Sequence, residues 1–373
     1  MTDRRAFVLL PVCALLLFGT LSRGHDWGDD WAGYLLQAKA IREGRLAEEV
    51  AANRYTVENS SRPLGPAAYP WGFPLLLAPL YGADILAHKI PGALCLIAFL
   101  ALLAFGFRRY HSGWWLFALV GPFALNPVVL SAADEVLSDI PFLLLSTAAL
   151  LLMGKSPGLA LGALMAAACF VRGNGWLLPA ALIVAQIFRY QRRSLLPYLT
   201  FLTFVLLWRA AFPPGSDSYL LYLRDTSVGT VLQNALDYAR VPAHFFAGAP
   251  LYMAIYVASV PFTLYGVFLR RREDAHILIY VGLTLGLLLV WPFNQGLRLF
   301  LPALPFYCSF LLTGLERVVV DSTRGGAPAP PVSLSCCEAS RSRPPCGRGI
   351  PSRGVASCPT GPTRARPRRC SGS

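Results

Sequence analysis

Apolar residues run along this chain in long blocks separated by short polar turns. The blocks lie at 6–21, 85–107, 114–130, 140–153, 158–171, 176–188, 195–211, 251–269, 276–291 and 299–315. Apolar runs of about 18 residues or more read as membrane-crossing helices, because a helix satisfies its own backbone within lipid. The pattern predicts an all-α polytopic membrane protein with about ten transmembrane helices and both ends on one side of the bilayer. Several blocks are short for a full crossing, which leaves the number open by two.

A polar stretch of different character separates the first two blocks. Within it Trp31, Tyr34, Leu35, Ala38 and Ile41 recur at helical spacing, with Gln37, Lys39, Arg42 and Glu43 off that face. This predicts an interfacial helix lying in the membrane plane, in an outward-facing first loop. The segment 75–80 is apolar but interrupted by Pro79 and too short to span, so it is expected to dip into the membrane or lie on it.

Composition agrees: 55% of the residues are hydrophobic and 14% charged, which excludes an ordinary soluble domain. The net charge of +13 points to nucleic acid only until it is located. Residues 322–373 hold nine Arg against the single acid Glu338, leaving +5 for the body, so no nucleic-acid partner is expected. Arg4, Arg5, Arg108, Arg109, Lys155, Arg189, Arg192, Arg193, Arg270, Arg271, Arg272 and Arg317 fall at alternate turns, which assigns those turns to the cytoplasm. Asp134, Glu135 and Asp139 fall at the opposite turns, although the first loop mixes both signs.

Two processing questions affect the boundaries. The charged start and first apolar block also suit a signal peptide, but no small-x-small site precedes His25, which favours a retained helix. The segment 321–373 is rich in Pro, Ser, Gly, Arg and Cys, and its composition offers too little apolar surface to fold. It reads as a disordered tail or as an out-of-frame translation of a GC-rich gene, and the abrupt change favours the second. The membrane domain is therefore expected over 1–320. Cys13, Cys95, Cys169 and Cys308 sit singly in apolar runs and the five tail cysteines lack zinc-site spacing, so neither a disulfide framework nor a metal site is expected. The five histidines are scattered as well.

The candidate chemistry lies at the outward turns. Asp29 and Asp30 precede the interfacial helix, Asp139 opens the fourth block, Arg172 follows the fifth and Arg298 precedes the last. Ionisable groups at membrane edges are functional candidates, and four such groups on one side imply a cavity holding both carboxylates and guanidiniums. Each also has a plainer reading. Asp29, Asp30 and Asp139 suit helix caps, and Arg172 and Arg298 suit side chains anchoring helix depth.

The same residues carry a resemblance. Asp30-x-x-x-Tyr34 followed by Gly44, Tyr69-Pro70-x-Gly72-x-Pro74, Ser138-Asp139-Ile140-Pro141, Arg172-Gly173-Asn174-Gly175 and Arg298-Leu299-Phe300-Leu301-Pro302 occur in this order. They resemble motifs of the GT-C superfamily of membrane glycosyltransferases, especially bacterial members related to protein mannosyltransferases and lipid A aminoarabinose transferases. Two departures stand out. Trp31 follows Asp30 where the family often has a second acid, and Asp139 is shorter than the usual Glu.

The resemblance implies transfer of a sugar from a polyprenyl-phosphate donor to a lipid, glycan or protein acceptor hydroxyl. The reaction would be inverting, on the outer (periplasmic) face of a bacterial inner membrane. Asp30, with Asp29 in reserve, is then the catalytic base. Arg298 and Arg172 bind the donor phosphate, and Asp139, Tyr34 and Tyr69 bind substrate. No cofactor is indicated, although some relatives use a divalent ion. The alternatives are a polysaccharide polymerase or ligase, a non-catalytic membrane scaffold and a transporter. A transporter is disfavoured because no inverted repeat is visible.

Overall fold

Each apolar block of the sequence folds as a helix. The structure is a computed structural model that describes residues 4–25, 30–60, 65–155, 158–191, 193–215 and 226–323, among which no strand occurs. The helices are α1 (Arg4–Thr20), α2 (Trp31–Glu43), α3 (Leu46–Asn59), α4 (Gly72–Leu77), α5 (Ile85–Gly106), α6 (Trp114–Ala124) and α7 (Pro127–Ala133). They continue with α8 (Asp139–Met153), α9 (Leu159–Val171), α10 (Leu177–Ile187), α11 (Leu196–Ala211), α12 (Val228–Tyr238), α13 (Tyr252–Arg270), α14 (Ala275–Val290) and α15 (Leu304–Thr323). The tail from residue 324 onward lies outside the described residues.

Among the described residues, Ile85–Arg109, Tyr252–Arg270 and Leu301–Thr323 are long and apolar enough to cross a bilayer alone, and the bent pair α6–α7 makes a fourth. The other expected spans form shorter apolar helices of 10–17 residues. The bend between α6 and α7 is 53°. Its cause is local. Pro127 lacks an N–H and forces Asn126 into an extended conformation (ψ 122°), while the Asn126 side chain accepts from the Val128 amide to start α7.

The core centres on α5 and α8. Leu96, Phe99, Leu100 and Leu103 of α5 are fully buried, and Phe142, Leu143, Ala149 and Leu150 of α8 are at most 1% exposed. Around them α9 packs on α8 and α11, α10 on α14, and α13 on α15. Exposed Leu, Ile and Phe remain on the outer faces of α11 and α13, as lipid-facing surfaces require.

The helix predicted at 31–43 forms as α2, seated on α4, but its buried face is drawn differently from the sequence expectation. Gln37, expected off the apolar face, is only 1% exposed. Its amide donates to the Tyr69 carbonyl (3.0 Å) and accepts from the Tyr69 amide (2.9 Å), so a polar side chain is buried with both ends satisfied. The segment 75–80 becomes the end of α4 plus a short 3-10 turn, Ala78–Leu80, as the prolines dictate.

Candidate active site

Four helix termini converge at one end of the bundle. Asp30 lies just ahead of α2, Asp139 in the first turn of α8, Arg172 just after α9, and Arg298 in the turn leading to α15. Neither aspartate caps its helix. Asp30 has helical backbone angles (φ −65°, ψ −11°) and makes no side-chain cap bond, and at α8 the cap position belongs to Ser138, also without one. Both carboxylates are committed elsewhere.

Arg298 joins them. Its Nη2 lies 3.2 Å from Asp30 Oδ2 and 3.1 Å from Asp139 Oδ2, and its Nε donates to Asp139 Oδ2 at 3.3 Å. Asp139 Oδ1 forms a 3.0 Å ion pair with Arg172 Nη1. The same Nη1 donates to Ser138 Oγ (3.1 Å), which shares a 2.9 Å hydrogen bond with the Tyr34 hydroxyl. The Tyr69 hydroxyl donates to Asp30 Oδ1 at 2.9 Å. Of the residues singled out in the sequence, Asp30, Tyr34, Tyr69, Asp139, Arg172 and Arg298 therefore form one connected network. Asp29 lies outside the described residues.

Burial divides the network into two layers. Asp139 and Arg172 side chains are 2% and 12% exposed, whereas Arg298 and Asp30 are 28% and 32% exposed. The inner pair holds, and the outer pair can be reached. Asp139, expected to touch substrate, sits behind Arg298 and fixes the direction of its guanidinium. Burial pushes the Tyr34 phenol far up, and the Asp30 carboxylate adds to that, so Tyr34 stays protonated and serves as a neutral hydrogen-bonding group.

The glycines of the sequence motifs have a packing reason. A Cβ on Gly72 would lie 2.6 Å from the Phe170 carbonyl oxygen and 2.9 Å from the Val171 amide nitrogen, so α4 touches the backbone leading to Arg172. A Cβ on Gly175 would lie 2.6 Å from the Cys169 amide nitrogen. Only glycine permits these approaches. They bring Tyr69 and the Arg172 turn together.

Ser138 and Gln37 acquire roles that sequence reading had not assigned to them. Gln37 follows Tyr34 at helical spacing, which was the available signal for a shared face. Among the described residues no three His, Cys, Asp or Glu side chains converge as a metal set. Both described site carboxylates, Asp30 and Asp139, are held by arginine.

The fold and this network define an all-α polytopic integral membrane protein with two carboxylates and two arginines knitted together at one end of its bundle. No protein-family model matches the sequence, and no curated protein does. Among solved structures, the crystal structure of ArnT from Cupriavidus metallidurans bound to undecaprenyl phosphate is similar, with a TM-score of 0.50 at 15% identity. The match covers 83% of this chain and 60% of that one, so this chain spans somewhat less than two thirds of the ArnT chain. The fold is similar to that of ArnT.

Proposed function

We propose that this protein is a glycosyltransferase that moves a sugar from a polyprenyl-phosphate carrier to an acceptor hydroxyl, with inversion at the anomeric carbon. The reading rests on Arg298 bridging Asp30 and Asp139 at 3.2 and 3.1 Å, which puts a phosphate-binding group beside a carboxylate at an open site. The GT-C-like fold and the undecaprenyl phosphate in the ArnT crystal support the class of donor.

The chemistry follows from the charges. Two aspartates and two arginines balance, so an arriving phosphodiester competes with Asp30 for Arg298. Arginine suits that exchange because its planar fork matches phosphate oxygens as well as carboxylates. Asp139 keeps the guanidinium in place while Asp30 is released. Asp30 then takes the proton of the acceptor hydroxyl as its oxygen bonds to the anomeric carbon. The bond from that carbon to the phosphate oxygen breaks, and the extra charge on the departing polyprenyl phosphate is stabilised by Arg298. The proton passes from Asp30 to solvent. A phosphate leaving group is already acidic and needs no general acid.

The basic turns support a site on the outer face, read as the periplasmic side of a bacterial inner membrane. The acceptor is a lipid, glycan or protein hydroxyl. The test is transfer by reconstituted protein from a radiolabelled polyprenyl-phosphate sugar to total membrane acceptors, alongside Asp30→Asn and Arg298→Ala. Loss in both variants supports the reading. Transfer unaffected by both removes the site assignment, and no transfer by the wild type from any carrier leaves a scaffold or transporter.

A further inference from the structure

Lys89 is a fully buried cation inside α5, at 0% exposure, and the network above does not include it. Its ammonium lies 2.8 Å from the Ser22 carbonyl, 2.7 Å from the Gly24 carbonyl, 2.8 Å from Asp134 Oδ1 and 3.1 Å from Ser22 Oγ. Three donors meeting these acceptors leave nothing for a ligand. A charge buried this deeply is tolerated only when paired and hydrogen-bonded, and here every partner lies in one of two loops.

The first loop leads from α1 toward Asp30, and the second leads from α7 to Asp139. They are also tied to each other. Asp134 accepts from the Ser22 amide (2.9 Å) and the Ser22 hydroxyl (2.7 Å), and the Val136 amide donates to His25 Nε2 at 2.9 Å. The His25 ring lies 4.7 Å from that of Trp31, the first residue of α2. On the other side Val136, Leu137 and Ser138 are buried as far as Asp139.

We propose that Lys89 is a positioning residue that, with Asp134 and Ser22, clamps together the two segments delivering Asp30 and Asp139, and so sets the spacing of carboxylates that Arg298 must bridge. The kinetic consequence rests on the transfer reading above; the structural consequence does not. Lys89 touches no substrate. Its effect reaches the site only through where Asp30 and Asp139 stand.

The test uses the full chain in lipid nanodiscs, followed by hydrogen–deuterium exchange, with Lys89→Met, Asp134→Asn and the milder Ser22→Ala. Each variant should speed exchange in 21–25 and 134–139 by about ten- to a hundredfold, the factor equivalent of losing a hydrogen bond to a charged group, with the smallest effect in Ser22→Ala. Rates in α13 and α15 should stay unchanged. Uniform acceleration across all helices, or none in these two segments, overturns the clamp. Should Lys89→Met fail to fold, Ser22→Ala carries the same comparison.

In the transfer assay, with a radiolabelled polyprenyl-phosphate hexose as probe, Lys89→Met should lower kcat and leave the donor KM unchanged. It should cause a smaller loss in an Asp30→Asn background, where only its hold on Asp139 still acts. An equal loss in that background overturns the proposal. Absence of transfer by the wild type removes the function reading instead, and the exchange result then decides the clamp alone.

Discussion

Arg298 and Asp139 are 159 positions apart in sequence, yet the Nε and Nη2 of the arginine both reach one carboxylate oxygen, at 3.3 and 3.1 Å. Because Asp139 is nearly buried and Arg298 is not, the aspartate acts as the anchor and the guanidinium as the movable contact. The outer face of Arg298 is then shared between Asp30 and whatever anion enters.

That sharing separates two kinds of aspartate variant. Asp30→Asn should lower kcat by about 10²–10⁴-fold, the usual worth of a positioned base. Undecaprenyl phosphate should bind the same variant at least as tightly as the wild type, since a competitor for Arg298 has gone. Kinetics paired with equilibrium binding check this, and weaker binding in Asp30→Asn would argue against the exchange.

Arg298→Ala should lower transfer by about 10²–10³-fold, as expected for removing one group that stabilises developing charge. Arg298→Lys should recover little, because a point charge does not reproduce the planar fork between Asp139 and phosphate. Recovery to wild-type rate by lysine would count against a bidentate role.

Asp139→Ala leaves Arg172, 12% exposed, without its carboxylate. Breaking a buried pair from one side costs about 3–5 kcal/mol, so thermal unfolding in detergent should shift downward clearly. Asp139→Ala combined with Arg172→Met should regain part of that loss. A double variant no more stable than the single one would show that the pair is not coupled.

Gly72→Ala places a methyl group within 2.6–2.9 Å of the Phe170–Val171 backbone. Overpacking against backbone costs about 1–3 kcal/mol. Because α4 would be lifted from the Arg172 turn, activity should fall together with stability. Wild-type values for both would show that the helices separate at no cost.

Asp134 supplies a pH dependence whose sign is set by its surroundings. Burial pushes its carboxyl up, but the hydrogen bonds from Lys89 and Ser22 outweigh this, and the group ends below the ordinary carboxylate value. A depressed folded value means that the stabilisation is fully present above the unfolded pKa of about 3.9 and is lost as pH falls through the folded value. The stability gap between wild type and Asp134→Asn should therefore be constant near neutrality and close only in strong acid. A gap that instead closes as pH rises would contradict the depressed value.

The sequence by itself determined the helices, because block length, proline and glycine act locally. Pro127 ends α6 wherever α6 packs, and the charges at the block ends mark the turns. It also marked Asp30, Asp139, Arg172 and Arg298, because charged residues at the ends of apolar blocks stand out in one dimension, while Tyr34 and Tyr69 were marked by the resemblance of their motifs. What only the tertiary structure decided is which group faces which. Asp139 lies behind Arg298 rather than in the open, Gln37 turns inward to hold Tyr69, and Lys89 secures two loops from inside α5. Such pairings depend on burial and on separations that no local pattern encodes. A buried charge is stable only where distant chain segments supply its partners, and that supply exists only once the helices have packed.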